Sequence, residues 1–248
     1  MSDELTGRAV AITGASSGIG EATARACVAA GAAVALGARR TERIEELARE
    51  LNDAGGRAEA FTVDVGEESQ AIEFVQGAHE RLGRLDALVN NAGVMLLGAI
   101  ENAPTEEWRR MIHVNLFGVL YCTHAALPLM RRQGAGHIVN VSSVAGRVAR
   151  LGSGVYNLTK WGVGAFSESL RQEMVPLGVR VTLIEPGAVA TELPGHNRPE
   201  VLEQMAKSFA GVTPLASEDI ATAILYAIAQ PPNVAVNEIL VRPSGQSR

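Results

Sequence analysis

Aromatic residues are scarce: Phe, Trp and Tyr make up 4% of the 248 residues, although apolar residues together reach 47%. A core of that size has to be assembled from Ala, Val, Leu and Ile. Cysteine is scarcer still. Cys27 and Cys122 both sit in apolar helical patterns, which argues against a disulfide framework and makes the reducing cytoplasm the expected compartment. Charge of one sign never accumulates in a run and the formal net charge is −5, which disfavours nucleic acid as a partner. There is no H-E-x-x-H and no Cys cluster, and His79, His113 and His137 lack ligand-like spacing, so no catalytic metal is expected. The N-terminus, "MSDELTGRAVAIT", carries early acids and enters a strand at once, which does not fit a signal peptide. The longest apolar run, "VNLFGVLYCTHAALPL", is interrupted by Asn115 and His124 and is too short to span a bilayer, so a buried or interfacial helix is expected and no membrane partner.

Short β-rich runs alternate with helical ones. The strands are expected at 8–13, 32–37, 58–63, 85–90, 137–142, 179–184 and 238–241, and the helices near 18–30, 42–54, 67–82, 105–132, 155–175 and 217–229. Most of the strands are continuous apolar runs, as strands covered on both faces require. Strand–helix alternation then predicts a parallel, doubly wound seven-stranded sheet with helices on both faces. No composition break or repeat divides the chain, so residues 1–248 are expected to form a single domain. The least regular part, "PGAVATELPGHNRPEVLEQMAKSFAGVTP", is rich in Pro, Gly and polar residues. It reads as a lid over about 188–215, with one short helix near 199–208.

The turn after the first strand, "TGASSGIGEATARA", carries Gly14, Gly18 and Gly20. Glycine permits positive φ and close approach of a ligand, and a helix N-terminus behind it offers free N–H groups to a phosphate. The same stretch also matches a G-x-S-x-G nucleophile elbow with Ser16 as nucleophile. A hydrolase would need an acid and then a His downstream. Only His196 lies far downstream, with no evident partner, so the phosphate cradle is the better reading.

The spacing T-G-x-x-x-G-I-G, together with Tyr156-x-x-x-Lys160, resembles the short-chain dehydrogenase/reductase family. "NNAG" at 90–93, "VN" at 114–115, "SS" at 142–143 and "PG" at 186–187 fall in the expected order over almost the whole chain. The resemblance implies a Rossmann-like fold and a nicotinamide coenzyme held by Gly14, Ser16, Ser17, Gly18, Ile19 and Gly20. It adds Asp64 and Val65 at the adenine, Asn91, Ala92 and Gly93 after the fourth strand, and Pro186, Gly187, Val189 and Thr191 after the sixth, with Asn90 partly structural. An acid about 20 residues past the glycines would select NAD. Here Ala38 occupies that place and Arg39 and Arg40 follow it, so NADPH/NADP+ is expected, with Arg39 as the main contact for the 2′-phosphate.

A helix starting near Val155 puts Tyr156 and Lys160 on one face. The resemblance assigns Asn115, Ser143, Tyr156 and Lys160 to a catalytic tetrad. In it a nearby ammonium lowers the phenol pKa, Ser143 (rather than Ser142) donates to the substrate oxygen, and Asn115 kinks its helix and holds a water behind Lys160. Walls of the substrate pocket are expected from Met95, Leu96, Ser143, Val144, Ala145, Tyr156 and Gly187. Arg147 and Arg150 read better as a solvated loop than as an anion contact. The runs "NNAGVMLLG", "SSVAGRV" and "NEILVRPSGQ" are similar to the NADPH-linked carbonyl reductases that include the clavulanic acid dehydrogenases, which implies reduction of an aldehyde or ketone on a small molecule. The same resemblance implies a homotetramer (or homodimer) paired through helices 105–132 and 155–175. The alternatives are an NAD(H)-dependent alcohol dehydrogenase and a non-catalytic nucleotide sensor. The sensor reading is disfavoured because both Tyr156 and Lys160 are present.

Overall fold

The computed structural model describes residues 4–208 and 211–247. Residues 1–3 of the expected N-terminal strand entry and residues 209–210 of the expected lid lie outside the described residues. The strands are β1 (Ala9–Thr13), β2 (Ala33–Ala38), β3 (Arg57–Thr62), β4 (Ala87–Asn90), β5 (Gly136–Val141), β6 (Val179–Pro186) and β7 (Glu238–Val241). They form one sheet in the order β3-β2-β1-β4-β5-β6-β7, and every pairing is parallel. The helices are α1 (Gly18–Ala29), α2 (Thr41–Asp53), α3 (Glu68–Leu82), α4 (Thr105–Ile112), α5 (Gly118–Gln133), α6 (Gly154–Met174), α7 (Pro199–Ser208) and α8 (Ser217–Ala229). This is the doubly wound Rossmann-like arrangement that the alternation predicts.

The continuous apolar strands have a direct cause. Val10 and Ile12 of β1 pack on one side with Ile44 of α2 and Ile220 and Ile224 of α8. Ala9 and Ala11 pack on the other side with Phe74 of α3, Met130 of α5 and Leu170 of α6. Each such side chain of Leu or Ile size contributes about 1.5–3 kcal/mol of transfer free energy when fully buried. The helices that cover the sheet bury narrow stripes only. In α2 these are Ile44, Leu47, Ala48 and Leu51, at three- and four-residue spacing on an otherwise polar helix.

Two elements depart from expectation. The helix expected over 105–132 is one rod, but it contains a wide π turn at His113–Phe117 between α4 and α5, so that Asn115 faces inward. The rod Thr105–Gln133 has 29 residues and is apolar enough to cross a membrane, longer than the interrupted run suggested. Here its inner face (Met111, Asn115, Cys122, Ala126 and Met130) is buried in the fold, as in a core helix. The segment after β6 is also more ordered than a loop. It contains a 3₁₀ turn, Leu193–His196, and then α7 at the expected place. A parallel bridge from Val189 to Leu215 draws its two ends together.

Strand order reverses between β1 and β4, where the helices that follow them diverge to opposite faces. A crevice opens there beyond the strand carboxyl ends.

Candidate active site

A cleft of about 780 Å³ runs along that edge. It is lined by Gly14, Ser16, Ser17, Gly18 and Ile19 from the glycine turn, Arg39 and Arg40 after β2, Asp64 and Val65 after β3, and Asn91, Ala92 and Gly93 after β4. Met95, Ser143, Ala145, Tyr156, Lys160, Pro186, Gly187, Val189 and Thr191 complete it. Of the expected site residues, Gly20 and Asn115 lie outside the lining. Gly20 is buried beneath the turn, where a Cβ would strike the Gly14 carbonyl. Asn115 is buried behind the cleft floor. Leu96, expected in the wall, instead packs into a small core with Met111 and Tyr156, and its neighbour Leu97 takes the wall position.

The turn fits a dinucleotide phosphate. Gly14 and Gly18 have φ of 67° and 56°, and a Cβ on Gly14 would stand 2.9 Å from Ala92 Cα. Both positions therefore require glycine. Ser17 caps α1 with extended backbone but makes no side-chain cap bond, so the first-turn N–H groups face the cleft without that partner. Ser16 Oγ accepts from Arg40 Nε at 3.0 Å, and a guanidinium cannot take its proton as a nucleophile's base would. Asn91 secures the turn from across the crevice, its Nδ2 donating to the Thr13 carbonyl at 2.9 Å. Asn90 is structural: its Nδ2 donates to Thr123 Oγ1 and to Asn140 Oδ1 beneath the site.

The two arginines make different contacts within the protein. Arg40, not Arg39, is tied to the turn. Besides Ser16 it donates to Ser17 Oγ at 2.6 Å and to Glu192 Oε2 at 2.6 Å. Arg39 stands 3.9 Å from Asp64 and stays half exposed. The reason is geometric: Arg40 is the N-cap residue of α2, so its side chain runs back toward the neighbouring turn.

At the other end, Tyr156 and Lys160 are buried on the same face of α6. Lys160 Nζ donates to the Val141 carbonyl at 3.0 Å and lies 5.8 Å from the Tyr156 ring centre. Ser143 Oγ donates to the Pro186 carbonyl at 3.4 Å and accepts from the Ala145 N–H at 3.1 Å, and its hydroxyl is placed to favour the Tyr156 phenolate. Both Ser142 and Ser143 line the cleft, but Ser142 is buried and its Oγ is committed to the Lys160 carbonyl. Asn115 Oδ1 accepts from Val94 N–H at 2.8 Å, while its Nδ2 donates to the Val94 carbonyl at 2.9 Å and to Thr159 Oγ1 at 3.1 Å. The π turn directs Asn115 to that bond set, which locks the strand-to-helix loop to α6. A Cβ on Gly93 would stand 3.4 Å from Asn115 Oδ1 and 3.8 Å from Lys160 Nζ, so that glycine keeps the floor between them open.

The electrostatics correct one expectation. Burial pushes the Tyr156 phenol up to about 12, and the Ser143 hydroxyl offsets this only in part. Burial also pushes the Lys160 ammonium down to about 8. An acidic phenol is therefore not a property of the protein alone: desolvation disfavours the charged form of both groups. Stability carries the mark of this. Between about pH 8 and the ~10.4 of an exposed lysine, the unfolded chain holds a proton that folded Lys160 has released. Stability from this group therefore rises with pH across that window. Lys160→Met should abolish the rise. In urea unfolding, the stability of the wild type relative to the variant should grow by up to ~1.4 kcal/mol per pH unit from pH 8 to 10. Buried Cys27 and Cys122, pushed up to about 12, titrate alike in both proteins and drop out of the difference. Parallel curves for the two proteins would contradict this assignment.

Comparison with known proteins settles the lineage. The family model described as short chain dehydrogenase matches residues 8–201. This chain belongs to the short-chain dehydrogenase/reductase family of oxidoreductases. An uncharacterized oxidoreductase of Staphylococcus saprophyticus is 42% identical over 246 residues, with 97% of each chain covered. The closed form of a serine dehydrogenase complexed with NADP+ superposes with a TM-score of 0.90 at 34% identity, covering 97% of this chain and 96% of that one. An alcohol dehydrogenase from the archaeon Thermococcus sibiricus, complexed with 5-hydroxy-NADP, gives 0.86 at 34% identity, with 97% and 98% covered.

In this short-chain dehydrogenase/reductase, several residues that shape the site carry no motif. Asn157 Nδ2 holds the loop after Ser143 through the Ala145 and Val148 carbonyls. Asn197, buried, accepts from Leu97 N–H and donates to the Met95 carbonyl, pinning the lid over the loop after β4. Arg147 is not part of a solvated loop: it forms a bidentate pair with buried Glu185. A polar residue in a sequence announces such a role only when its partner is known, and these partners lie 9 to 102 residues away.

Proposed function

We propose that this protein is an NADP(H)-dependent carbonyl reductase, working in reverse as an alcohol dehydrogenase on a small molecule. The observation that carries this reading is one continuous cleft. It has a glycine turn and two arginines, with no acid at Ala38, at one end and the Tyr156–Ser143–Lys160 cluster at the other. The complexes of the two similar structures with NADP+ and 5-hydroxy-NADP support the coenzyme choice.

The nicotinamide coenzyme supplies or accepts the hydride. The glycine turn and the α1 N-terminus would hold its pyrophosphate, Arg39 and Arg40 the 2′-phosphate, Asp64 and Val65 the adenine, and Asn91–Gly93 with Pro186, Gly187, Val189 and Thr191 the nicotinamide half. Tyr156 gives its proton to the carbonyl oxygen as that oxygen gains charge, and Ser143 donates to the same oxygen. Lys160 supplies the positive charge that a buried phenolate needs, and Asn115 keeps the floor loop in place. Met95, Ala145 and Gly187, with Leu97, Leu193 and Met205, give a largely apolar mouth. Such a mouth suits an uncharged aldehyde, ketone or diketone; the likeness to the clavulanic acid dehydrogenases belongs to this choice of substrates.

The test is a fluorescence titration with NADPH and NADH, followed by an NADPH-oxidation screen over those carbonyl classes. Preferential NADPH binding with turnover supports the reading. No NADPH binding, together with no oxidation by any carbonyl, would sink it.

Two further features belong to the same proposal. Unpaired, buried Cys27 and Cys122 suit the reducing cytoplasm. Phe117 and Leu120 on the central rod, and Leu158 and Trp161 on α6, are 37%, 37%, 59% and 52% exposed. Covering them with a second copy of this chain gives a homodimer, or a homotetramer through a repeat of the operation. Light scattering should return a multiple of the 26.1 kDa chain mass, and a monomer at micromolar concentration would exclude this assembly.

A further inference from the structure

We propose that Glu192 is a coenzyme-selectivity residue, its carboxylate occupying the anion seat on Arg40 and latching the lid until a 2′-phosphorylated ligand displaces it. The inference rests on the NADP(H) reading above and adds to it a residue from the opposite side of the cleft.

Three chain segments meet at this point. Glu192 follows Thr191 in the segment after β6. Its Oε2 accepts from Arg40 Nη1 at 2.6 Å and its Oε1 from Arg43 Nη1 at 2.7 Å, the first turn of α2. Arg40 also donates from Nε to Ser16 Oγ and from Nη2 to Ser17 Oγ. All three nitrogens of that guanidinium are thus engaged, one of them by a carboxylate. A phosphate monoester is best held by the two-pronged face of a guanidinium. It cannot take that face without removing Glu192 or standing beside its negative charge. Arg43 and Arg40 hold the Glu192 carboxyl down at about 2, so it is an anion at any working pH.

The latch is built to open. Glu192 and both arginines are about half exposed, and ion pairs of that kind stabilise only weakly. The rest of the lid has separate anchors: Asn197 bonds Met95 and Leu97, and Arg198 bonds the Leu97 carbonyl and pairs with Glu107. Release of Glu192 therefore frees residues 191–196, while residues 188–190 stay bridged to Leu215 and the far side stays docked. A ligand without the 2′-phosphate has nothing to exchange for the carboxylate.

The test separates binding from turnover by using adenosine 2′,5′-bisphosphate and 5′-AMP, which lack nicotinamide. In wild type, the bisphosphate should speed amide hydrogen exchange over 191–196 and 5′-AMP should not. In Glu192→Gln and Glu192→Ala, exchange there should already be fast without ligand and should not rise further. Both variants should bind NADPH about two- to five-fold more tightly, as expected for loss of a weak competing pair, and NADH unchanged. An NADPH-to-NADH affinity ratio unchanged in both variants, or lid exchange in wild type indifferent to the bisphosphate, overturns the proposal while leaving the coenzyme reading intact. A wild type that binds NADPH no better than NADH overturns the coenzyme reading itself, and this proposal with it.

Discussion

Tyr156→Phe should lower kcat for reduction of any carbonyl compound the protein turns over by about 10²–10⁴-fold, the range for loss of a positioned proton donor. NADPH affinity should change by less than about two-fold, because the ring stays and only the hydroxyl leaves. The ring packs in the small core with Val94, Leu96 and Met111, so folding is not at risk. Ser143, beside the phenol, keeps its own partners in the Pro186 carbonyl and the Ala145 N–H when the hydroxyl is lost. The size of the effect follows from the electrostatics. A phenol pushed up to about 12 is a reluctant acid in the protein alone, so it transfers its proton only as charge appears on the substrate oxygen. That makes the contribution specific to the transition state, and kcat and kcat/KM should fall together. A variant that keeps more than a tenth of wild-type kcat would show that another group or water donates the proton. A protein whose only measurable property is NADPH binding, the same with and without the hydroxyl, would be a sensor.

The parts of this site legible in the sequence were those where the chemistry demands one residue type at one spacing. Gly14 and Gly18 had to be glycine because positive φ and a close neighbour leave no room for a side chain. Tyr156 and Lys160, four apart, share a helix face. The sheet was legible because strands covered on both faces cannot alternate in polarity, and all seven came out parallel as that pattern requires. What could not be read was direction. Arg39 and Arg40 are equivalent as letters, but only the N-cap of α2 points back to the glycine turn. Leu96 and Leu97 are likewise equivalent, and the path of the loop sends one into the core and the other into the cleft. The lowered phenol pKa was expected from proximity alone. Proximity can be read from spacing, but the desolvation that opposes it depends on everything packed around the pair.

Arg147→Met should be the most destabilising exposed-arginine substitution in the site, by about 2–3 kcal/mol. Arg147 follows the short turn after Ser143 and donates from Nε and Nη2 to the two oxygens of Glu185, at 2.7 and 2.8 Å. It also pairs with Glu238 at the start of β7. Glu185 is 1% exposed, whereas the Arg147 side chain is 41% exposed. Removing the arginine leaves a buried carboxylate without its counter-charge, which costs ~3–5 kcal/mol in a fully buried pair. Water reaching the open side of Arg147 reduces that figure. For a chain of this size, 2–3 kcal/mol lowers Tm by about 5–10 °C. Glu238→Gln leaves the bidentate pair intact and should cost under about 1 kcal/mol, as for other exposed pairs. Arg147→Lys restores charge but not the fork, and should fall between. The pair also ties the loop that carries Ser143 to β6 just before Pro186, so Arg147→Met should lower kcat while NADPH affinity holds. Scanning calorimetry on the three variants decides the matter: a Tm for Arg147→Met within 2 °C of wild type would mean that Glu185 finds another partner, and that the clamp on the Ser143 loop lies elsewhere.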